Sequence, residues 1–511
     1  MPNTTGSATG NSAGNNARSY ALLEQRFREI GDLGHAQAML GWDEAVMMPV
    51  GGGERRGDVL ATLAGLVHRQ ITSTETGDLI AAAADEGGLD DWQQANLREI
   101  ERRRVRATAL PADLVVEHSR ASTRCEQTWR VARAANDWAA IVEPLGRLLE
   151  LTREVAVALG EACELAPYDA LIDRYQPGVD QASIDPIFAE LRAFLPDFAE
   201  SVIASRPRPL PIRGLFPRAQ QEALARALME KVGFDFAHGR LDTSHHPFCG
   251  GDPDDTRITT RYDENDYLSS LMGVLHETGH AMYEQGLPKQ WRGLPVGDAS
   301  GMAVHESQSL LMEMQVCRGR DFLEFAAPIV RAHFGAPDAA PEWGADNLYL
   351  ASTQVSLSLI RVDADEVTYP LHVILRYELE RALIGGDLSV RDVPDAWDEK
   401  MRHYLGRPTR GDDRDGCMQD VHWYAGLFGY FPTYTLGAVI AAQLFAAVRA
   451  RVPDAAAAIR RGDFAPLLAW LRANVHGRAR SVSANQLLLD ATGAPLGTAA
   501  FKAHLVARYG A

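Results

Sequence analysis

From Tyr20 almost to its end, the sequence repeats apolar residues at spacings of three and four, the period of one buried helix face. Leu22, Leu23, Phe27, Ile30 and Leu33 set the pattern, and Ile440, Leu444, Val448 and Val452 repeat it on an Ala-rich background. Residues 222–231 and 455–461 are good helix formers on propensity alone. So regular a period dictates a frame of packed helices rather than a sandwich or barrel. Pro and Gly interrupt it at 49–53, 207–217, 286–301, 335–341 and 406–416, none long or polar enough to be a linker. No repeat of solenoid length is visible, so residues 20–511 read as one domain. One stretch differs. Residues 256–262, TRITTRY, are β-branched and aromatic with polar residues between, which predicts a strand near the centre of a helical body.

Composition narrows the function. Lys and Arg total 51 against 68 Asp and Glu, a formal charge of −17 in 511 residues. Such a surface repels phosphate backbones and anionic lipid, which argues against nucleic-acid and membrane partners. The five cysteines are scattered with no CxxC pair, which suits a reducing, cytoplasmic setting. Residues 1–19, rich in Gly, Ser, Asn and Thr, lack the apolar core of a secretory signal and read as a disordered tail. The longest apolar stretch, 437–448, falls short of the roughly 20 residues that cross a bilayer.

The most informative segment is 265–285, NDYLSSLMGVLHETGHAMYEQ. Leu268, Leu271, Met272, Leu275 and Met282 form one helical stripe, Asp263 or Asn265 can cap its start, and Gly286 with Pro288 stops it. Within it, His276 and His280 are i and i+4, so both imidazoles leave the same face one turn apart. That spacing suits two nitrogen ligands on one Zn²⁺. Glu277 is turned about 100° away, placed to reach a metal-activated water without ligating. With 15 His in the chain, HExxH arises by chance in about 3% of such sequences, against the plainer reading of two structural histidines. A catalytic zinc takes three protein ligands and leaves one position open. Downstream, VHESQSLLME resumes the helical period after a Gly/Pro-rich turn, and its Glu306 can supply the third ligand.

Three further groups are notable. IRVDADE sets Arg361 and Asp365 at i, i+4, either a helix ion pair or an Arg fork for a carboxylate. GCMQDVHW places Gln419 and His422 in a short span, and YFPTY adds Tyr430 and Tyr434. His and Tyr are common oxyanion donors, although each alone is more often structural.

Together these segments closely resemble the carboxypeptidase Taq family of zinc metallocarboxypeptidases. HPF stands at His246, Pro247 and Phe248, DxRxT at Asp255, Arg257 and Thr259, and HExxH at His276 to His280. HESQ runs from His305 to Gln308, IRxxAD from Ile360 to Asp365, and GxxQDxHW from Gly416 to Trp423. The likeness reaches the N-terminal GWDEAVMMP at 41–49. Many related zincins carry an Asp four residues after the ligand Glu, but here that position is Leu310, so the partner that orients a zinc imidazole is unassigned.

The resemblance implies a mainly helical, saddle-shaped fold with a deep central groove, similar to angiotensin-converting enzyme and neurolysin. It implies a homodimer that removes single C-terminal residues from peptides with broad specificity. On this reading Zn²⁺, for which Co²⁺ can substitute, sits on His276, His280 and Glu306. Glu277 is the general base, and Tyr434 or else Tyr430, with His422, holds the oxyanion. Arg361, then Arg257, with Gln419, binds the substrate's carboxylate end. The competing readings are an endopeptidase or dipeptidase on the same centre, or an inactive helical binding protein.

Overall fold

The computed structural model describes residues 13–244 and 247–510, with side chains from Ser19 onward. Of the expected tail, residues 1–12 lie outside the described residues. The first helix, Ala13–Val46, begins within the rest of it. Its buried face is Tyr20, Leu23, Phe27 and Ile30, which packs with Ile80, Ile100, Leu294 and Val296 into an N-terminal core. The larger core gathers Trp138–Cys163, Gln181–Ser205, Tyr369–Gly385 and Pro432–Arg451. The last of these is long and apolar enough to cross a membrane by length and composition, yet 78% of its apolar window is buried inside the protein. Gln443, polar and buried in its middle, donates to Thr492 and to the carbonyls of Ala494 and Pro495. It is a core helix.

The strand expected over 256–262 is one of three. Strands β1 (Gly239–Thr243), β2 (Phe248–Asp252) and β3 (Asp255–Thr260) form a sheet in the order β1-β3-β2. β1 runs parallel to β3 with Gly239 opposite Thr256, and β2 runs antiparallel with Phe248 opposite Thr259. The short β1 and β2, with three glycines and few β-branched residues, carry little strand signal. Leu241 and Ile258 of this sheet pack against Val274 and Ala281 of the HETGH helix. The sheet therefore backs the helix on which the chemistry sits.

That helix runs Tyr267–Glu284 and is capped by Asp266, whose carboxylate accepts the amide of Ser269. Neither Asp263 nor Asn265, the two caps expected, fills that place: Asp263 accepts the amide of Asn265 in the turn before the helix. The HESQ segment forms the helix Met302–Leu310 and continues as a π-helical turn, Leu311–Cys317. The two cross at Gly279, where an added Cβ would lie 2.4 Å from the Gln308 carbonyl oxygen. Only a residue without a side chain lets them approach so closely.

The helix Ala499–Tyr509 docks behind the π-turn. The buried Glu366 carboxylate receives His504 at 2.7 Å, Arg508 at 3.2 Å and the Tyr509 hydroxyl at 3.0 Å. Arg508 also donates to the carbonyls of Met314 and Gln315, within the turn itself.

Candidate metal centre and active site

His276, His280 and Glu306 meet as the spacing predicts. One ligand atom from each lies within 4.8 Å of the others. Glu306 Oε2 stands 3.3 Å from His280 Nε2 and 3.9 Å from His276 Nε2. Two imidazoles and one carboxylate converging on one point are the donor set of a catalytic divalent-metal centre, so the residues fit the metal the sequence implies.

Each imidazole is fixed through its other nitrogen. His276 Nδ1 lies 2.8 Å from Glu313 Oε2, and Arg318 holds Glu313 from behind at 2.7 Å. Glu313 is the orienting partner that Leu310 does not provide. It lies seven residues past Glu306, two turns along the same face, inside the π-helical turn. A search confined to the fourth residue passes over it. His280 Nδ1 faces His305 Nδ1 at 2.6 Å, and His305 Nε2 contacts Glu284 Oε1 at 2.7 Å. A proton on His280 Nδ1 and another on His305 Nε2 satisfy both contacts and leave His280 Nε2 a free lone pair.

The two histidines differ because their neighbours differ. Burial pulls His276 down, but the Glu313 and Glu306 carboxylates outweigh it and raise it to about 10. His280 has no carboxylate behind it, and burial lowers it to about 4 despite Glu306. Glu306 is raised by burial but lowered further by His280 and His276, to about 2. Glu277 has no such partner, and burial lifts it to about 7, the range in which a carboxylate can both take and return a proton.

Opposite the triad lies the start of the helix Pro432–Arg451. Gly437 sits so close that an added Cβ would fall 2.8 Å from Glu306 Cβ. Tyr434 is three residues earlier on that face, which turns it toward the triad. Its hydroxyl is 3.0 Å from His422 Nε2, and its ring lies 5.2 Å from that of Tyr430. Burial lowers His422 to about 3, so it is neutral, and through Nε2–H it can donate to Tyr434 and free the phenolic proton for a substrate oxygen.

Of the two readings of Arg361 and Asp365, the helix ion pair does not form. Residues Arg361–Asp363 make one 3₁₀ turn and Ala364 is extended, so the helical i, i+4 geometry is absent. Asp365 instead accepts the amides of Ser356, Val367 and Thr368. Arg361, 5% exposed, donates from Nε and Nη2 to Asp420 Oδ1 at 3.1 and 2.9 Å and stacks over Tyr434 at 4.8 Å. Arg376 donates to Asp420 Oδ2 at 2.7 Å. Burial raises Asp420, yet the two guanidinium groups hold it far below the usual carboxylate range. Two cations on one anion leave a net positive charge beside Tyr434.

The other expected substrate contacts are occupied. Gln419 accepts the amide of Arg361 and donates to the carbonyls of Leu359, Asp415 and Gly416, so it ties two loops together. Both ends of its amide are engaged by backbone. Arg257 forms a two-pronged pair with Asp255 at 2.9 and 2.6 Å and lies 4.3 Å over Trp42, with Arg240 4.9 Å over the same ring. No ion pair among the described residues joins it to the triad. Through this stacking Trp42 of GWDEAVMMP supports the sheet. His246 of the HPF segment lies outside the described residues.

Comparison with known proteins agrees with this geometry. A family model for carboxypeptidase Taq (M32) metallopeptidases matches residues 22–509. Thermostable carboxypeptidase 1 of Thermus thermophilus is 39% identical over 507 residues, covering 96% of this chain and 98% of its own. The solved structure of metallocarboxypeptidase 1 of Trypanosoma cruzi superimposes with a TM-score of 0.94 at 41% identity, covering 96% of this chain and 99% of that one. The M32 carboxypeptidase of Deinococcus radiodurans gives 0.92 at 37% identity, with the same coverage.

Proposed function

The chain belongs to the carboxypeptidase Taq (M32) family and is a metallocarboxypeptidase, and on that premise we propose that it removes single C-terminal residues from short peptides, with zinc as its metal. The observation that carries the reading is the convergence of His276, His280 and Glu306 with the buried Glu277 beside them. A zinc ion held there supplies Lewis acidity. Glu277 takes the proton of the attacking water and returns it to the leaving amine, for which a value of about 7 is well placed. Tyr434, steered by His422 and packed on Tyr430, donates to the developing oxyanion. The net positive Arg361–Asp420–Arg376 group supports recognition of a free carboxylate, with Arg361 as the nearer cation to Tyr434. We also propose a cytoplasmic homodimer. The five thiols, free in the structure, suit that compartment.

The test is a mass-spectrometric time course on paired peptides with free and amidated C-termini, with and without a chelator. Stepwise loss of single residues from the free peptide alone, abolished by the chelator, is expected. Internal cleavage of the amidated peptide would reassign the centre to an endopeptidase.

A further inference from the structure

The loop 416–431 carries His422 and leads directly into Tyr434, yet it contains no regular helix or strand. What holds it is a polar row on the buried helix Tyr369–Gly385. Within it Arg376 and Glu380 stand at i and i+4, both fully buried. Arg376 grips the loop at Asp420. Glu380, 0% exposed, grips it twice more. Its Oε1 accepts the indole N–H of Trp423 at 2.8 Å, and its Oε2 accepts the amide of Gly429 at 2.9 Å and the hydroxyl of Tyr168 at 2.7 Å. Trp423 follows His422 and Gly429 precedes Tyr430, so one carboxylate fixes the loop on both sides of the His422 turn. Gly429 has φ 86, and an added Cβ would meet the Leu171 carbonyl carbon at 2.7 Å. The loop is thus pressed against the helix Pro167–Asp173, which supplies Tyr168. Nothing in the proton transfer uses Glu380. Three donors on one buried carboxylate, two of them from the loop that carries His422, require a different role.

We propose that Glu380 is a positioning residue of the reaction: by holding Trp423 and Gly429 together, it sets His422 and Tyr434 at the distance from the metal triad that the transition state requires. The inference rests on the oxyanion role proposed above for Tyr434. Glu380→Gln keeps size and shape but replaces one acceptor by an N–H donor. The Tyr168 hydroxyl can turn to accept it, whereas the Trp423 indole and the Gly429 amide cannot. Whichever way the amide faces, one N–H meets another and one grip opens.

The experiment measures kcat, KM and metal content on a free peptide for the zinc-loaded enzyme. Glu380→Gln is expected to lower kcat by about 10²-fold, the scale of a small misplacement of reacting groups, with KM and metal content unchanged. Glu380→Gln combined with Trp423→Phe removes the opposed donor and is expected to exceed Glu380→Gln alone in kcat. A native kcat in Glu380→Gln, or a loss of kcat accompanied by metal loss, overturns the proposal. Should Glu380→Gln fail to fold, Trp423→Phe alone removes one of three donors and leaves the carboxylate in place. A lowered kcat at native KM is then expected, and a native kcat overturns the proposal. Tyr434→Phe, run in parallel, separates the two ideas. If it retains native kcat, the oxyanion reading falls. If it loses kcat while Glu380→Gln does not, only the positioning role falls.

Discussion

The metal face and the loop face of the site are built by opposite means. The metal face takes its ligands from two regular helices, where i, i+4 spacing already aligns His276 and His280, and each imidazole needs only one outer partner. The loop face takes Arg361, His422 and Tyr434 from irregular backbone and a helix start, and buried ions must impose the order that secondary structure does not. Regular backbone makes a site cheap to position. Irregular backbone makes it depend on charges placed far away in sequence.

The largest effect should strike the metal face directly. His276→Ala, His280→Ala and Glu306→Ala each leave two protein ligands, too few for a tight catalytic centre. Metal analysis should show the ion lost from all three, with activity. Stoichiometric metal in Glu306→Ala would remove Glu306 from the ligand set.

Next comes Glu277→Gln, which keeps the fold and the metal but cannot accept a proton. Turnover should fall by about 10²–10⁴-fold. Turnover near native would remove Glu277 from the reaction.

The comparison itself is tested by removing one support from each face. Glu313→Ala frees His276 Nδ1, so metal affinity should weaken by about 10- to 100-fold, and it strands the single guanidinium of Arg318, 22% exposed, so stability should fall less than for Asp420→Ala. Asp420→Ala strands two buried guanidinium groups, which should cost about 3–5 kcal/mol of stability while metal affinity holds. Arg361→Ala should likewise lower the melt, because Arg361 is buried in that group rather than paired on an exposed helix. If Glu313→Ala proved the less stable and Asp420→Ala the weaker metal binder, the division between the faces would be wrong.

A smaller effect concerns pH. Burial raises Glu366, but His504 and Arg508 lower it to about 2 in the fold. A depressed folded value stabilises the protein above the ordinary carboxylate range, and that contribution is lost as pH falls from there toward 2. The helix Ala499–Tyr509 should therefore loosen over this acid range. Limited proteolysis at stepped pH would detect it, and uniform protection down to pH 2 would refute it.

The same division explains what could be read from the sequence. The helical frame and the ligand triad follow from periods of three and four residues, which survive any packing detail. Glu313 is hidden by one turn of π-helix, and the i, i+4 alternative for Arg361 fails because its segment is extended after a single 3₁₀ turn. Asp420 and Glu380 act across 44 and 43 residues, on Arg376 and Trp423, through contacts that no local pattern encodes. Gln419 lies in a recognisable motif but serves the backbone, because a buried loop must satisfy its own carbonyls.

The bare backbone at Gly279 and Gly437 has a consequence for anyone transplanting this centre into another scaffold. The helix bearing Glu306 lies between those two positions, touching one through Gln308 and Ser309 and the other through the ligand's own Cβ and Cγ. A graft that copied the three ligands, the base and every orienting carboxylate, yet placed alanine at either glycine, would hold the right atoms at the wrong depth. What has to be carried over includes two places where nothing protrudes.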